Sequence, residues 1–315
     1  MTIKHEVKLE TMVCPACGCM KHSLNEVCKG YEILTCLECG LCFCNPMRGG
    51  EREFYKNHVV YRKMDKATIA QHCNSAAKSF NQHLLTLLSE GDRILDIGCG
   101  FGAFVKYAAE KGYDAYGIDF NDKHINIGRE VLGLGERLIL GDIKDLHDSD
   151  RFCDSFDLVT LFEVIEHVED PRCLVQDARR MLSKGGLLAI SCPNESRWQP
   201  TGRIFADYPP HHLTRWRPDT LLSFLERQGF QHVKTQLECS FSDLIWVAYV
   251  NSSAKRKEAK SGSDNGNDDA ANYAGFRRLK IAGFNLIRAF GAPFDLVLKT
   301  AGVGTMGMRM VVRRT

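Results

Sequence analysis

Short apolar runs and helically spaced segments alternate through the middle of this chain. Arg93-Ile-Leu-Asp-Ile97, Asp114-Ala-Tyr-Gly-Ile-Asp119, Arg137-Leu-Ile-Leu-Gly-Asp142, Phe156-Asp-Leu-Val-Thr-Leu-Phe162 and Gly186-Leu-Leu-Ala-Ile-Ser191 are nearly continuous apolar stretches, the pattern of strands covered on both faces. Ala103 to Lys111 and Pro171 to Leu182 carry helical spacing between them. This alternation predicts an α/β fold with a doubly wound, mainly parallel sheet and a ligand at the carboxyl ends of its strands. A helix follows over Arg217 to Gly229, with proline near its start and glycine past its end. A strand from Phe230 to Leu237 comes next. The last apolar run, Met308 to Arg313, lies roughly 70 residues beyond that strand, although the closing pair of such a sheet is normally a hairpin.

The flanking regions read differently. Glu51 to Leu88 is rich in helix formers, with Tyr55, Tyr61, Phe80 and Leu84 among its larger apolar groups, and is expected to supply one or two helices over the mouth of the sheet. Ala254 to Ala270 is a polar linker too poor in apolar residues to form a core, and is expected to be disordered. Phe276, Leu279, Leu286, Ile287 and Phe290 then recur at helical spacing, with Arg277, Arg278 and Arg288 on other faces and Ile281 and Phe284 off the stripe. Such a helix suits packing against the domain. It also suits peripheral contact with a membrane or an anionic substrate.

Composition narrows the class. Of 315 residues, 44% are hydrophobic and 25% charged, ordinary values for a globular chain. No apolar run approaches the ~20 residues of a membrane span, and the first residues lack the apolar core of a secretory signal, so a cytoplasmic location is expected. A net charge of +2 argues against nucleic acid as partner, although residues 251–315 carry 12 Lys/Arg against 5 Asp/Glu.

Eight of the 14 cysteines fall within the first 44 residues. Cys14-Pro-Ala-Cys17-Gly and Cys36-Leu-Glu-Cys39-Gly form two C-x2-C pairs separated by 18 residues, and two such turns supply the four tetrahedral sulfurs of a structural Zn²⁺ site. Cys19, Cys28, Cys42 and Cys44 are surplus to one site, and Asn45-Pro46 reads as the exit from the ribbon. The expected organisation is a zinc-ribbon module at 1–48, a helical lid at 49–90, a ligand-binding domain at 91–240, an insertion at 241–306 and a final strand at 307–315.

Gly98, Gly100 and Gly102 fall at alternate positions after the first strand, where they allow a sharp turn and close approach of backbone to a ligand. A glycine turn alone fits a dinucleotide equally well. The next two strands end in Asp119, placed for a ribose, and Asp142, suited to an adenine amine; either carboxylate could instead cap a following helix.

Leu95 to Gly102, Gly117 to Asp119, Gly141-Asp142, Glu163 to Pro171 and Leu182 to Gly186 resemble, in order, the successive motifs of class I S-adenosylmethionine-dependent methyltransferases. The resemblance runs over about residues 90 to 238 and implies a seven-stranded, Rossmann-like sheet. It implies that Asp96, Gly98, Cys99, Gly100 and Gly102 cradle the methionine part of the cofactor. Asp119 and Phe120 would take the ribose, Asp142 and Ile143 the adenine, and Phe162 and Glu163 the methyl-donor pocket.

Glu163-Val-Ile-Glu-His167 is similar to a Glu-x-x-Glu-His sequence of ubiquinone-pathway O-methyltransferases and of small-RNA 3′-terminal 2′-O-methyltransferases, and in the latter it helps hold a divalent ion. With His211 or His212 from Pro209-Pro-His-His-Leu213, it would bind Mg²⁺; the alternative is a set of polar loop residues bonded to backbone. His167, His211 and His212 are all candidates for a general base. Zinc ribbons and the Pro-Pro-His-His-Leu stretch also resemble a branch acting in polysaccharide and small-molecule pathways. The expected activity is methyl transfer to an oxygen of a small-molecule or glycan-intermediate substrate. The alternatives are 2′-O-methylation of RNA ends and a non-catalytic zinc-ribbon adaptor.

Overall fold

A computed structural model describes residues 12–50, 81–198, 202–238 and 306–315, with Phe54 and a few positions between 244 and 304. The lid expected between Glu51 and Leu88 lies outside the described residues, apart from Phe54 and the stretch from residue 81 that includes helix α1 (Asn81–Leu85). The linker from Ala254 to Ala270 and the amphipathic helix expected over 276–290 also lie outside them.

The sheet at the centre has seven strands. In chain order they are β4 (Arg93–Ile97), β5 (Asp114–Asp119), β6 (Leu138–Leu140), β7 (Phe156–Phe162), β8 (Leu182–Pro193), β10 (Phe230–Leu237) and β11 (Gly307–Arg314). Their spatial order is β10-β11-β8-β7-β4-β5-β6. β4 pairs in parallel with both β5 and β7, and β11 runs antiparallel between β8 and β10. The chain therefore closes the hairpin expected of its last two strands in spite of the intervening segment. The order reverses between β4 and β7, so the crevice at their carboxyl ends is where this topology leaves room for a ligand.

Side chains alternate faces with the period of two that a strand imposes. Ile94, Leu158, Ala189 and Val311 join the cluster beneath α2 (Ala103–Glu110). Leu95, Val159, Ile190 and Met310 face the opposite cluster, with α4 (Pro171–Met181) and α5 (Pro218–Arg227). Helix α3 (Asp122–Leu132) has no counterpart in the sequence pattern. Its N-cap is Asn121, whose side chain accepts from the Lys123 and His124 amides. β6 is shorter than its apolar run because Gly135–Arg137 forms a 3-10 turn.

The N-terminal segment forms a second, antiparallel sheet of β1 (His22–Cys28), β2 (Tyr31–Cys36) and β3 (Cys42–Asn45). Its fourth strand is β9 (Thr214–Arg215), donated by the larger domain, with Cys42 opposite Arg215 and Phe43 opposite Thr214. Cys14, Leu34, Cys36, Leu41 and Phe43 share one apolar cluster with Leu95, Ile165, Trp216 and Phe224. A segment this short cannot bury a full core of its own, and here it completes its core against the larger domain. Among the described residues no helix is long and apolar enough to cross a membrane.

Candidate functional site

The glycine turn between β4 and α2 has Gly98, Gly100 and Gly102 at φ 74°, 55° and 82°, in the left-handed region that other residues enter only with strain. Nothing lies within 4 Å of a Cβ built on Gly100, whereas one on Gly98 meets Val164 Cγ2 at 2.6 Å. The turn is thus open on one side and, on the other, pressed against the segment that follows β7. Asp96 is buried beneath it and accepts a 2.6 Å hydrogen bond from Thr160 Oγ1. Burial pushes its carboxyl up to about 7 despite that bond. Asp119, at the end of β5, accepts from the Gly100 amide at 2.9 Å and the Asn121 amide at 2.7 Å. Its carboxylate therefore joins the glycine turn to the start of α3.

Asp142 takes the capping role: it accepts from the Lys144 amide while Asp145 reaches back to the Asp142 amide, a capping box over Ile143–Leu146. Ile143 is buried and Phe120 half-buried. Phe162, also half-buried, meets Phe104 edge to face, with centroids 5.2 Å apart. Cys99 is buried in the turn, and desolvation raises its thiol far above the ordinary range.

Across the crevice, β7 ends in the segment Glu163 to His167. Glu163 adopts a φ of 55°, a strained conformation for a residue with a Cβ, and accepts from Ser191 Oγ at 2.7 Å. Its surface is exposed, yet enough protein surrounds the carboxyl that desolvation raises its pKa. Glu166 is 1% exposed, with no hydrogen-bond partner on either carboxylate oxygen. Burial and the neighbouring Glu163 push its carboxyl well above the usual range.

The Pro-Pro-His-His turn lies against this segment. One ligand atom from each of His167, His211 and His212 lies within 4.8 Å of the others, so the three candidate histidines come together from positions more than 40 residues apart. His167 Nδ1 is 2.7 Å from the His211 carbonyl, and its Nε2 is 3.7 Å from Glu166 Oε1. His212 is buried, with Nδ1 3.9 Å from Asp207 Oδ1. Desolvation first, and then the neighbouring histidines and arginines, drive its pKa far down, leaving the ring neutral.

Cys14, Cys17, Cys36 and Cys39 also converge, with their sulfurs within 4.8 Å of one another. Cys14 to Cys39 is 3.6 Å and Cys17 to Cys36 is 3.5 Å, close to the ~3.8 Å edge of a tetrahedron with Zn–S bonds of about 2.3 Å. Each knuckle is closed by a backbone bond, Gly18 amide to Cys14 carbonyl and Gly40 amide to Cys36 carbonyl. The hydrogen bond shared by the Cys14 and Cys39 sulfurs lowers Cys39 to about 5 and raises Cys14. The donor set suits Zn²⁺.

Sequence reasoning did not single out several residues at the site. Thr160 and Ser191 were visible as lone polar residues in buried strands, a signal that each serves a carboxylate. Asp207, Arg215 and Arg309 gave no local sign. Arg309 stands opposite Ser191 in the β8–β11 register and pairs with Glu238 at 2.5 Å, so the last strand brings a cation to the Glu163 side of the crevice.

Comparison with known proteins gives consistent findings. A family model described as a methyltransferase domain matches residues 70–235. A ubiquinone biosynthesis O-methyltransferase of Alkalilimnicola ehrlichii is 33% identical over 132 residues, 41% of this chain and 51% of that protein. Another, from Sinorhizobium medicae, is 31% identical over 173 residues, 54% of this chain and 65% of that protein. The chain thus spans about half to two thirds of the length of these relatives. Among solved structures, a SAM-dependent methyltransferase from Archaeoglobus fulgidus superposes with a TM-score of 0.50 at 18% identity, over 77% of this chain and 94% of that one, a likeness of fold.

Proposed function

The chain belongs to the methyltransferase-domain family, with the Rossmann-like sheet of class I S-adenosylmethionine-dependent enzymes, and on that premise we propose that it methylates an oxygen of a small-molecule or sugar-containing acceptor. The observation that carries this reading is the contact between Gly98 and Val164. It puts the segment bearing Glu163, Glu166 and His167 directly against the glycine turn, so an acceptor held by that segment would lie beside the methyl donor.

In this reading Asp96 and the turn from Gly98 to Gly102, with Cys99, hold the methionine end of the cofactor. Asp119 exchanges its backbone partners for the ribose hydroxyls, with Phe120 beside it. Asp142 and Ile143 meet the adenine, and Phe162 and Glu163 wall the methyl pocket. Bound S-adenosylmethionine supplies a methyl group already activated on a sulfonium. The protein's remaining tasks are to align the acceptor oxygen and to receive its proton.

His167 is best suited to receive it. A backbone carbonyl can only accept, so the hydrogen bond to His211 puts the proton on His167 Nδ1 and makes Nε2 the basic nitrogen of the ring. His211 and His212 then wall the acceptor side.

S-adenosylmethionine should raise the melting temperature of the protein, and labelled cofactor with fractionated cell extract should yield a labelled product. An intact protein that shows neither sinks the proposal.

A second reading adds a divalent ion. The buried Glu166 carboxyl, with no hydrogen bond on either oxygen and 3.7 Å from His167 in a cluster of three imidazoles, favours it. Mg²⁺ fits the carboxylates, but a site rich in imidazole favours a transition ion such as Zn²⁺ or Fe²⁺. Turnover of the metal-stripped protein with each ion in turn tests it, and turnover at full rate without added metal would sink it.

A further inference from the structure

The ribbon and the histidine pair are held to each other by backbone and side chain. His211 and His212 immediately precede Leu213 and β9, and that stretch is gripped on both edges. On one edge the Cys44 amide donates to the Leu213 carbonyl at 2.9 Å and β3 pairs with β9. On the other, the Leu213 and Thr214 amides both donate to the Glu166 carbonyl, at 2.7 and 3.2 Å, while Thr214 Oγ1 donates to the Ile165 carbonyl. One short strand thus spans from the ribbon to the segment that bears Glu166 and His167.

Arg215 completes this arrangement. Its side chain is buried, with Nη1 3.1 Å from Glu26 Oε1 on β1 and Nε 3.2 Å from the Asp207 carbonyl. Its guanidinium lies 5.0 Å from the centre of the Tyr208 ring. Asp207 in turn accepts from Arg197 Nη2 and the Ile204 amide and lies 3.9 Å from His212. The turn from Asp207 to His212 therefore hangs on Arg215, and Arg215 hangs on a carboxylate of the ribbon. The hydrogen bonds of Asp96 and Asp119, by contrast, stay within the sheet, its glycine turn and the start of α3.

We propose that Arg215, anchored by Glu26, is a positioning residue that seats His211 and His212 against His167, so that the ribbon sets the geometry of the acceptor half of the site and leaves cofactor binding untouched. This inference rests on the histidine-assisted reading above.

The test uses the full chain and needs no acceptor. Glu26→Gln and Arg215→Met, with Arg215→Lys as the conservative variant, are compared with the parent by calorimetric titration of S-adenosylmethionine and by long-range ¹⁵N NMR of the histidine rings. In the parent the His167 ring lies 4.6 Å from that of His211 and 4.8 Å from that of His212, centre to centre, so through-space contacts should link the three rings. Arg215→Met should free the turn, weaken those contacts and move the His212 ring signals. Glu26→Gln should do so to a smaller extent, Arg215→Lys least of all, and cofactor affinity should stay within about twofold throughout. Arg215→Met removes a buried cation from a tight site, so Glu26→Gln, whose carboxylate is partly exposed, decides the matter if that variant does not fold. His212 signals identical in parent and Glu26→Gln overturn the proposal, as does a cofactor affinity that falls in step with the His212 shift. A parent chain that fails to bind the cofactor at all strikes the functional reading instead.

Discussion

The two halves of the crevice are built in opposite ways. The half proposed for the cofactor lies mainly in one stretch, β4 through Ile143, whose carboxylates bond within the sheet or to the turn that follows each of them. The half proposed for the acceptor is assembled from the segment after β7, the Pro-Pro-His-His turn, the ribbon and β11, which are far apart in the chain and meet only in the folded state. The first half can keep its shape when the second is disturbed. The second depends on several long-range contacts holding at once.

Breaking the ribbon should give the largest effect. Cys14→Ser removes one of four converging sulfurs, and structural zinc sites of this kind hold their metal by roughly 10–16 kcal/mol. Because the ribbon shares its apolar cluster with Ile165, Trp216 and Phe224, zinc content by elemental analysis should fall from one per chain to none, together with a large drop in melting temperature. A stable, metal-free variant with the parent's melting curve would mean that the two regions are independent after all.

Next comes the anchor of the cofactor half. Asp119→Ala removes a carboxylate whose charged hydrogen bonds are each worth about 1.5–3 kcal/mol. Affinity for S-adenosylmethionine, measured by calorimetry, should fall at least about tenfold. The His212 ring signals should not move, and their movement would show that the halves are coupled.

His167→Gln should cut turnover by roughly 10²–10⁴-fold, the usual worth of a general base, while cofactor affinity stays at the parent value. Turnover that stays at the parent's level in this variant assigns the base to another group.

The pH responses are the most discriminating, because the two halves respond in opposite directions. Burial raises Asp96 to about 7 in the fold from an ordinary value near 3.8. The native state therefore holds a proton that the unfolded chain releases, and this contribution to stability is lost as pH rises from about 4 to 7. His212 is depressed, so the unfolded chain takes up a proton that the native state refuses, and stability is lost as pH falls below about 6.5. Melting curves of Asp96→Asn should lack the first slope and those of His212→Gln the second. If both variants keep the parent's pH dependence, neither group titrates in the fold as its burial dictates.

The same contrast explains how far the sequence could be read. The glycine turn and the four zinc-type cysteines stood in local patterns, and in the structure the turn takes left-handed backbone angles and the four sulfurs converge. Helix α3 escaped notice because its apolar stripe is thin and its strongest sign, the Asn121 cap, is a single residue. For Asp142 the pattern left two roles open, and the capping box is the one the described side chains form. Nothing in the sequence marked Arg215 or Asp207.

What the sequence determined by itself is the order of most strands and helices, the glycine turn after β4 and the paired thiols, since each depends on residues within one or two turns of chain. Only the tertiary structure decided that β3 would find its partner in β9, that three histidines would meet beside Glu166 and that Arg309 would arrive opposite Ser191. Such encounters depend on which buried faces fit each other and which buried charges find partners. Those are properties of the closed fold, and no single segment carries them.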